Sequence, residues 1–176
     1  MKTKPHIHDP ACCDCGAPVS EVTDFAFGLP DVIYALDDET QEKHVQRSDD
    51  FCSYRGAYFF VRCLLAIPTP ESPHKRFCFG VWVAVSESVL WRCDQAWRDE
   101  KLYAKLKFTG RLANNLDPWL GKTVGTEVAM EGRGFNERPY IVKADHPDIS
   151  KALKEGWKST EHERVAQACL AWKGAP

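Results

Sequence analysis

From Ala57 to Ile67 every odd-numbered position is apolar. Phe59, Val61, Cys63, Leu65 and Ile67 fall on one side of an extended backbone, with Tyr58, Arg62 and Ala66 on the other. This two-residue period belongs to a strand with one dry face. Phe77 to Val85 repeats it, setting Phe77, Phe79, Val81, Val83 and Val85 opposite Cys78, Gly80, Trp82 and Ala84, so both faces of this second strand are expected to be partly covered. The intervening Pro68-Thr69-Pro70-Glu71-Ser72-Pro73 interrupts strand hydrogen bonding and predicts an irregular antiparallel hairpin. Further strands are expected at Leu102–Phe108, at Val124–Met130 and, after the turn residues Gly132-Arg133-Gly134, at Pro139–Lys143. Gly110 and Asn114-Asn115 mark irregular structure.

Helical spacing takes over elsewhere. Ser86 is placed to cap a helix whose stripe is Val89, Leu90, Cys93 and Trp97. Asp31 to Arg47 reads as mixed helix and loop, with Asp37-Asp38-Glu39 turned to solvent. Asp148 is the expected cap of a short helix carrying Ile149, Ala152 and Leu153 before Gly156, and Thr160 with Glu163 forms a capping-box pattern ahead of Val165, Cys169 and Trp172. Together these segments predict an α+β protein, a mostly antiparallel sheet with covering helices. One domain is expected over residues 1–176, with 12–30 as a metal-stabilised N-terminal lobe laid on the core by Phe25, Phe27, Leu29 and Pro30.

Composition narrows the partners. The chain has 176 residues, of which 44% are hydrophobic, and 23 basic groups stand against 25 acidic ones. The net charge of -2 lacks the basic excess that backbone phosphates demand, so nucleic acid is not the expected principal partner. Met1 to Pro10 is polar, and no run approaches eighteen apolar residues, so a cytoplasmic protein that does not span a membrane is expected. In that compartment the eight cysteines are expected to be reduced rather than bridged.

Cysteine supplies the sharpest local pattern. Cys12 and Cys15 stand two residues apart ahead of Gly16, a spacing that lets two sulfurs meet at one soft cation and makes half of a structural zinc site. His6, His8, Cys13, His44, Cys52 and His146 are available to complete it. Cys52 is the extra ligand taken forward, with packing as its other reading. Free structural cysteines, or redox chemistry, are the other readings of the pair, although Gly16 and Pro18 do not favour the helix start that activates a redox thiolate.

Two further residues are candidates for ligand binding. Arg138 precedes a proline and suits an anionic contact, or else a surface ion pair. His146 lies in Asp145-His146-Pro147, where Asp145 is placed to orient the imidazole; the same tripeptide also makes a simple turn. No Gly-x-Ser-x-Gly, His-Glu-x-x-His or glycine-rich phosphate loop occurs in the chain, so no catalytic residue is assigned.

The order of landmarks resembles the bacterial family DUF2199. They are Cys12-Cys13-Asp14-Cys15-Gly16, Asp50-Phe51-Cys52, Tyr58-Phe59-Phe60-Val61-Arg62, Gly80-Val81-Trp82-Val83, Gly110-Arg111-Leu112, Arg138-Pro139 and Asp145-His146-Pro147-Asp148, covering about residues 12 to 170. The resemblance implies a compact bacterial protein and carries no catalytic set. Two departures stand out: Ala17 to Ser20 lack the histidine that follows the family's cysteine element, and Asp148 replaces its usual leucine. The expected function is a non-catalytic binding or regulatory protein with a zinc knuckle, its partner a small molecule or a protein. The alternative is a small-molecule enzyme with a composite pocket near Cys52, Arg138 and His146.

Overall fold

A computed structural model describes residues 23–72, 74–135 and 137–172. Cys12, Cys13, Cys15, His6 and His8 lie outside them, and with them the expected cysteine knuckle. The described chain is α+β, its elements joined into one eight-stranded, mostly antiparallel sheet.

The two alternating runs form β4 (Tyr58–Thr69) and β5 (Lys75–Val85), paired antiparallel along their length from Phe59↔Val85 to Thr69↔Lys75. Their odd-numbered face is dry as the alternation predicts: Val61, Cys63, Leu65, Ile67, Phe77, Phe79, Val81 and Val83 are fully buried. The meander continues through β6 (Lys107–Leu112), β7 (Glu127–Glu131) and β8 (Tyr140–Ala144), each antiparallel to the strand before it. Strand β8 then meets β4 at Leu64↔Tyr140, and the five strands close into a barrel. An up-and-down meander of five strands leaves its first and last members pointing the same way, which is why this one pairing is parallel. Closure removes edges that would otherwise stay exposed.

Shorter strands extend the sheet on both sides. β1 (Asp24–Ala26) runs parallel to β5, and β2 (Val45–Arg47) and β3 (Phe51–Tyr54) follow antiparallel on β4. Helices α1 (Asp31–Tyr34) and α2 (Asp38–His44) fill the expected mixed region. Asp37 is not simply solvated: it caps α2 by accepting from the Thr40 amide, and that hydrogen bond holds its carboxyl below the usual range. Helix α3 (Glu87–Ala96) starts at Ser86 as its spacing predicts, the hydroxyl accepting from Val89 N–H.

The structure corrects several boundaries. The strand expected from Leu102 is divided: Asp99 accepts from the amides of Lys101 and Leu102 and starts α4 (Glu100–Tyr103), so β6 begins only at Lys107. Gly110 lies inside β6, where a Cβ would stand 2.6 Å from the Ala84 carbonyl oxygen. Val124 is exposed ahead of β7. β4 continues through Pro68 to Thr69, beyond its β8 pairing, and the Pro68 carbonyl accepts from Trp157 N–H. Helix α5 (Pro147–Glu155) has His146, not Asp148, at its N-cap, with Pro147 supplying a preset first turn. Helix α6 (Ser159–Ala171) begins before Thr160, because Glu71 accepts from both the amide and the hydroxyl of Ser159.

Asn114 shows how an irregular segment can be fully satisfied in a core. β5 carries β1 as far as Gly80 and β6 from Val83, leaving Trp82 between them. Asn114, fully buried, fills that gap: its Oδ1 accepts from Trp82 N–H at 2.7 Å, and its Nδ2 donates to Leu29 O and Asp31 Oδ1. Thr123 hydroxyl donates to the Asn114 carbonyl and accepts from Leu116 N–H. Side-chain amide thus replaces strand backbone where the ladder is interrupted.

Candidate ligand-binding face

The even-numbered positions of β4 and β5 build the other face of the hairpin. Register places Arg62 opposite Trp82, Leu64 opposite Gly80, Ala66 opposite Cys78 and Pro68 opposite Arg76. β1 adds Asp24 and Ala26 on one side, and β8 adds Tyr140 on the other. The centre is small and partly open: Ala26, Leu64, Ala66 and Cys78 are half-buried, while Gly80 leaves room for close approach by Ala26. Trp82 at one end is covered, its indole donating to Phe27 O.

Arginines rim this floor. Arg62 reaches over Trp82, with its guanidinium carbon 5.6 Å from the ring centroid. Its Nη1 donates to Asp49 O, while its buried Nε has no acceptor. Burial, followed by the neighbouring Arg138 charge, lowers the Arg62 pKa, and Asp50 and Asp49 oppose that shift. Arg138 donates through Nε to Asp50 Oδ1 at 2.7 Å, and Asp50 O in turn accepts from Arg62 N–H, so both arginines are tied to one turn. Farther along, Arg76 Nη1 donates to Tyr140 Oη at 2.8 Å, that hydroxyl donates to Glu137 Oε2, and Arg133 lies 5.1 Å over the same ring. Four guanidiniums therefore border a floor of small apolar side chains. Planar donors of this kind recognise carboxylate and phosphate oxygens in pairs.

Arg138 thus sits in this cluster, although its present partner is the ion pair that the sequence offered as its other reading. His146 lies elsewhere. It follows the far end of β8, eight residues from Arg138, or roughly 25 Å at strand rise, so the two do not share a pocket. His146 is half-buried with an unpartnered Nδ1 and adjoins Gly121. Near it, Asp148 lines a separate cleft of about 420 Å³ between α5, α6 and the Trp119-Leu120 segment. Cys52 is buried on β3 opposite Phe60 and Arg47, and burial pushes its thiol up to about 11.

Cys93 and Cys169 are likewise raised to about 12, and burial raises Cys63 well above the ordinary thiol value. None of the described thiols has the lowered pKa of an activated nucleophile. Among the described residues no group of three or more His, Cys, Asp or Glu side chains is arranged to hold a metal ion, and no helix is long and apolar enough to cross a membrane.

The family model for uncharacterized protein conserved in bacteria (DUF2199) matches residues 11–156. The chain belongs to DUF2199. No curated protein and no solved structure matches it. The DUF2199 match takes in the whole barrel and every arginine of the rim, and it stops at Gly156. Helix α6, which forms one wall of the α5–α6 cleft, lies beyond the matched span.

Sequence alternation identified the face on which Arg62, Ala66, Cys78 and Gly80 stand. It did not identify Arg76, Arg133 and Tyr140 as their neighbours, because those meet only when β8 returns to β4. The missed signal was the pairing of an arginine-bearing strand face with a second arginine cluster more than sixty residues away, which period alone cannot register.

Proposed function

We propose that this DUF2199 protein is a non-catalytic binding protein that holds a small oxyanion-bearing ligand on the arginine-rimmed face. The observation that carries this reading is Arg62: a buried guanidinium donor without an acceptor, beside Arg138. An unmade hydrogen bond at a buried donor is costly, and a carboxylate or phosphate oxygen would supply the missing acceptor. Leu64, Ala66 and Cys78 offer a short apolar body a place to lie. The ligand is therefore a small molecule with one anionic head and a compact apolar part.

Butyl phosphate, inorganic phosphate and butanol separate the two contributions by calorimetric titration. Butyl phosphate is expected to bind in the range of about 0.1–1 mM, ahead of inorganic phosphate, with butanol weakest. The Arg62→Gln and Arg138→Gln proteins, shown to be folded by circular dichroism, are expected to lose about tenfold in affinity. Equal binding by the folded double variant overturns the proposal.

The cysteine pair adds a second expectation that rests on spacing. Cys12 and Cys15 are proposed to hold a structural zinc ion, with Cys52 as the candidate additional ligand. Protein purified without added metal should contain about one zinc per chain, and Cys12→Ser/Cys15→Ser should lose both the metal and stability. Metal-free native protein whose stability the double substitution leaves unchanged rejects the knuckle. Full zinc content in Cys52→Ser removes Cys52 from the ligand set.

A further inference from the structure

On the side of the barrel carrying α3 and α4, a second recess of about 240 Å³ is lined by Arg92, Gln95, Leu102, Lys105 and Lys107 over a floor of Ala96 and Leu106. Three lining side chains are cationic and none is acidic. The floor is apolar and buried, while Leu102 is 50% exposed. One helical turn before Gln95, Trp91 stands 57% exposed. Isolated exposed apolar residues are ordinary; here Leu102 lines a recess whose charged lining side chains are all cationic.

Local contacts fix the shape. Arg92 Nη2 donates to Lys107 O at 3.0 Å, joining α3 to the start of β6, and Lys107 Nζ pairs with Glu131 at 2.8 Å. Asp99 caps α4 and thereby sets Leu102 at the recess mouth. Lys105 is exposed and stands beside that mouth without an ion pair to another described residue.

We infer that this recess is a docking surface for an acidic peptide segment of a partner protein, with an apolar side chain of the segment seated beside Leu102 and its carboxylates facing Arg92, Lys105 and Lys107. Charge complementarity selects the acidic partner. Concavity favours a peptide side chain over a lipid surface, since interfacial membrane anchors lay an apolar face into the headgroup boundary rather than enclose a pocket. The surface is separate from the arginine-rimmed face, so binding at one can be lost without the other.

The probe is a fluorescein-labelled peptide, Asp-Asp-Glu-Leu-Leu-Glu-Asp-Asp, followed by anisotropy on the full chain. Saturable binding is expected, with a loss of about fivefold or more on Lys105→Glu or on raising the ionic strength from about 0.05 M to about 0.5 M. Replacing both peptide leucines with serine should weaken binding further, as should Leu102→Ser in the protein. A lysine-for-acid peptide should not bind. Failure of the acidic peptide to bind at about 1 mM, binding that Lys105→Glu leaves unchanged, or recruitment to phosphatidylglycerol vesicles without peptide binding each overturns the inference. Butyl phosphate titration of Lys105→Glu should match the parent, which keeps this result distinct from the fate of the proposed function.

Discussion

Asn114→Ala is expected to lower stability by about 3–5 kcal/mol, enough to shift the melting temperature by roughly 10 °C in a domain of this size. The substitution removes an acceptor and two donated hydrogen bonds at a fully buried position. Trp82 N–H is left facing an apolar methyl group in the gap between β1 and β6. Leu29 O and Asp31 Oδ1 lose a donor as well. Water cannot replace the amide without opening the segment that packs Trp82. Asn114→Asp is the informative companion, because it keeps an acceptor for Trp82 but loses both donors and sets a carboxylate against Asp31. Thermal and denaturant unfolding should rank the parent above both variants. A loss below about 1 kcal/mol for Asn114→Ala would show that Trp82 N–H finds another partner.

Gly156→Ala should be comparably damaging for a different reason. Gly156 ends α5 at φ 71° and ψ −176°, a region that residues with a side chain enter at a cost of order 1–3 kcal/mol. Space is lacking too: an added Cβ would stand 2.6 Å from Pro68 O, the same oxygen that accepts from Trp157 N–H at 2.8 Å. Relief of the clash therefore breaks the contact that fixes the entry to α6. A total loss of about 3 kcal/mol or more is expected, read from the shift of the urea midpoint with the slope unchanged. Wild-type stability would mean that the α5–α6 corner moves freely relative to β4.

The strand faces were legible because every odd position from Phe59 to Ile67 and from Phe77 to Val85 is apolar, and burial followed that side along Val61 to Ile67 and Phe77 to Val83. Helix starts were less legible. Asp99 was the determining cap for α4, yet the alternation from Leu102 to Phe108 masked it, since one helical turn and the head of a strand happened to concatenate into a false period. Thr160 and Glu163 have the spacing of a capping box, but Glu71, distant in sequence, had already satisfied Ser159. Barrel closure left no local trace at all. The arginine face was half visible for the same reason: Arg62 is fixed by local alternation, whereas Arg76 reaches Tyr140, which Arg133 covers from the β7–β8 connection, only through the β4–β8 pairing. Arg138 was marked by chemistry alone, and its tie to Asp50 depends on β3 lying along β4. His146 was grouped with it because Arg138-Pro139 and Asp145-His146-Pro147, on either side of a short strand, look adjacent in a sequence and are separated by the full length of that strand in space.

The parallel contact between Leu64 and Tyr140 joins positions 76 residues apart. Every antiparallel neighbour in the barrel follows its partner in chain order with a shorter connection, but this seam must wait until the intervening chain has been laid down, so its loop entropy is charged against few ladder contacts. Assembly should therefore finish here, and native breathing should begin here. Because Arg62 and Tyr140 sit on opposite lips of that seam, a molecule bridging them would act as a clasp on the last-formed joint, coupling occupancy to the resistance of the barrel to opening.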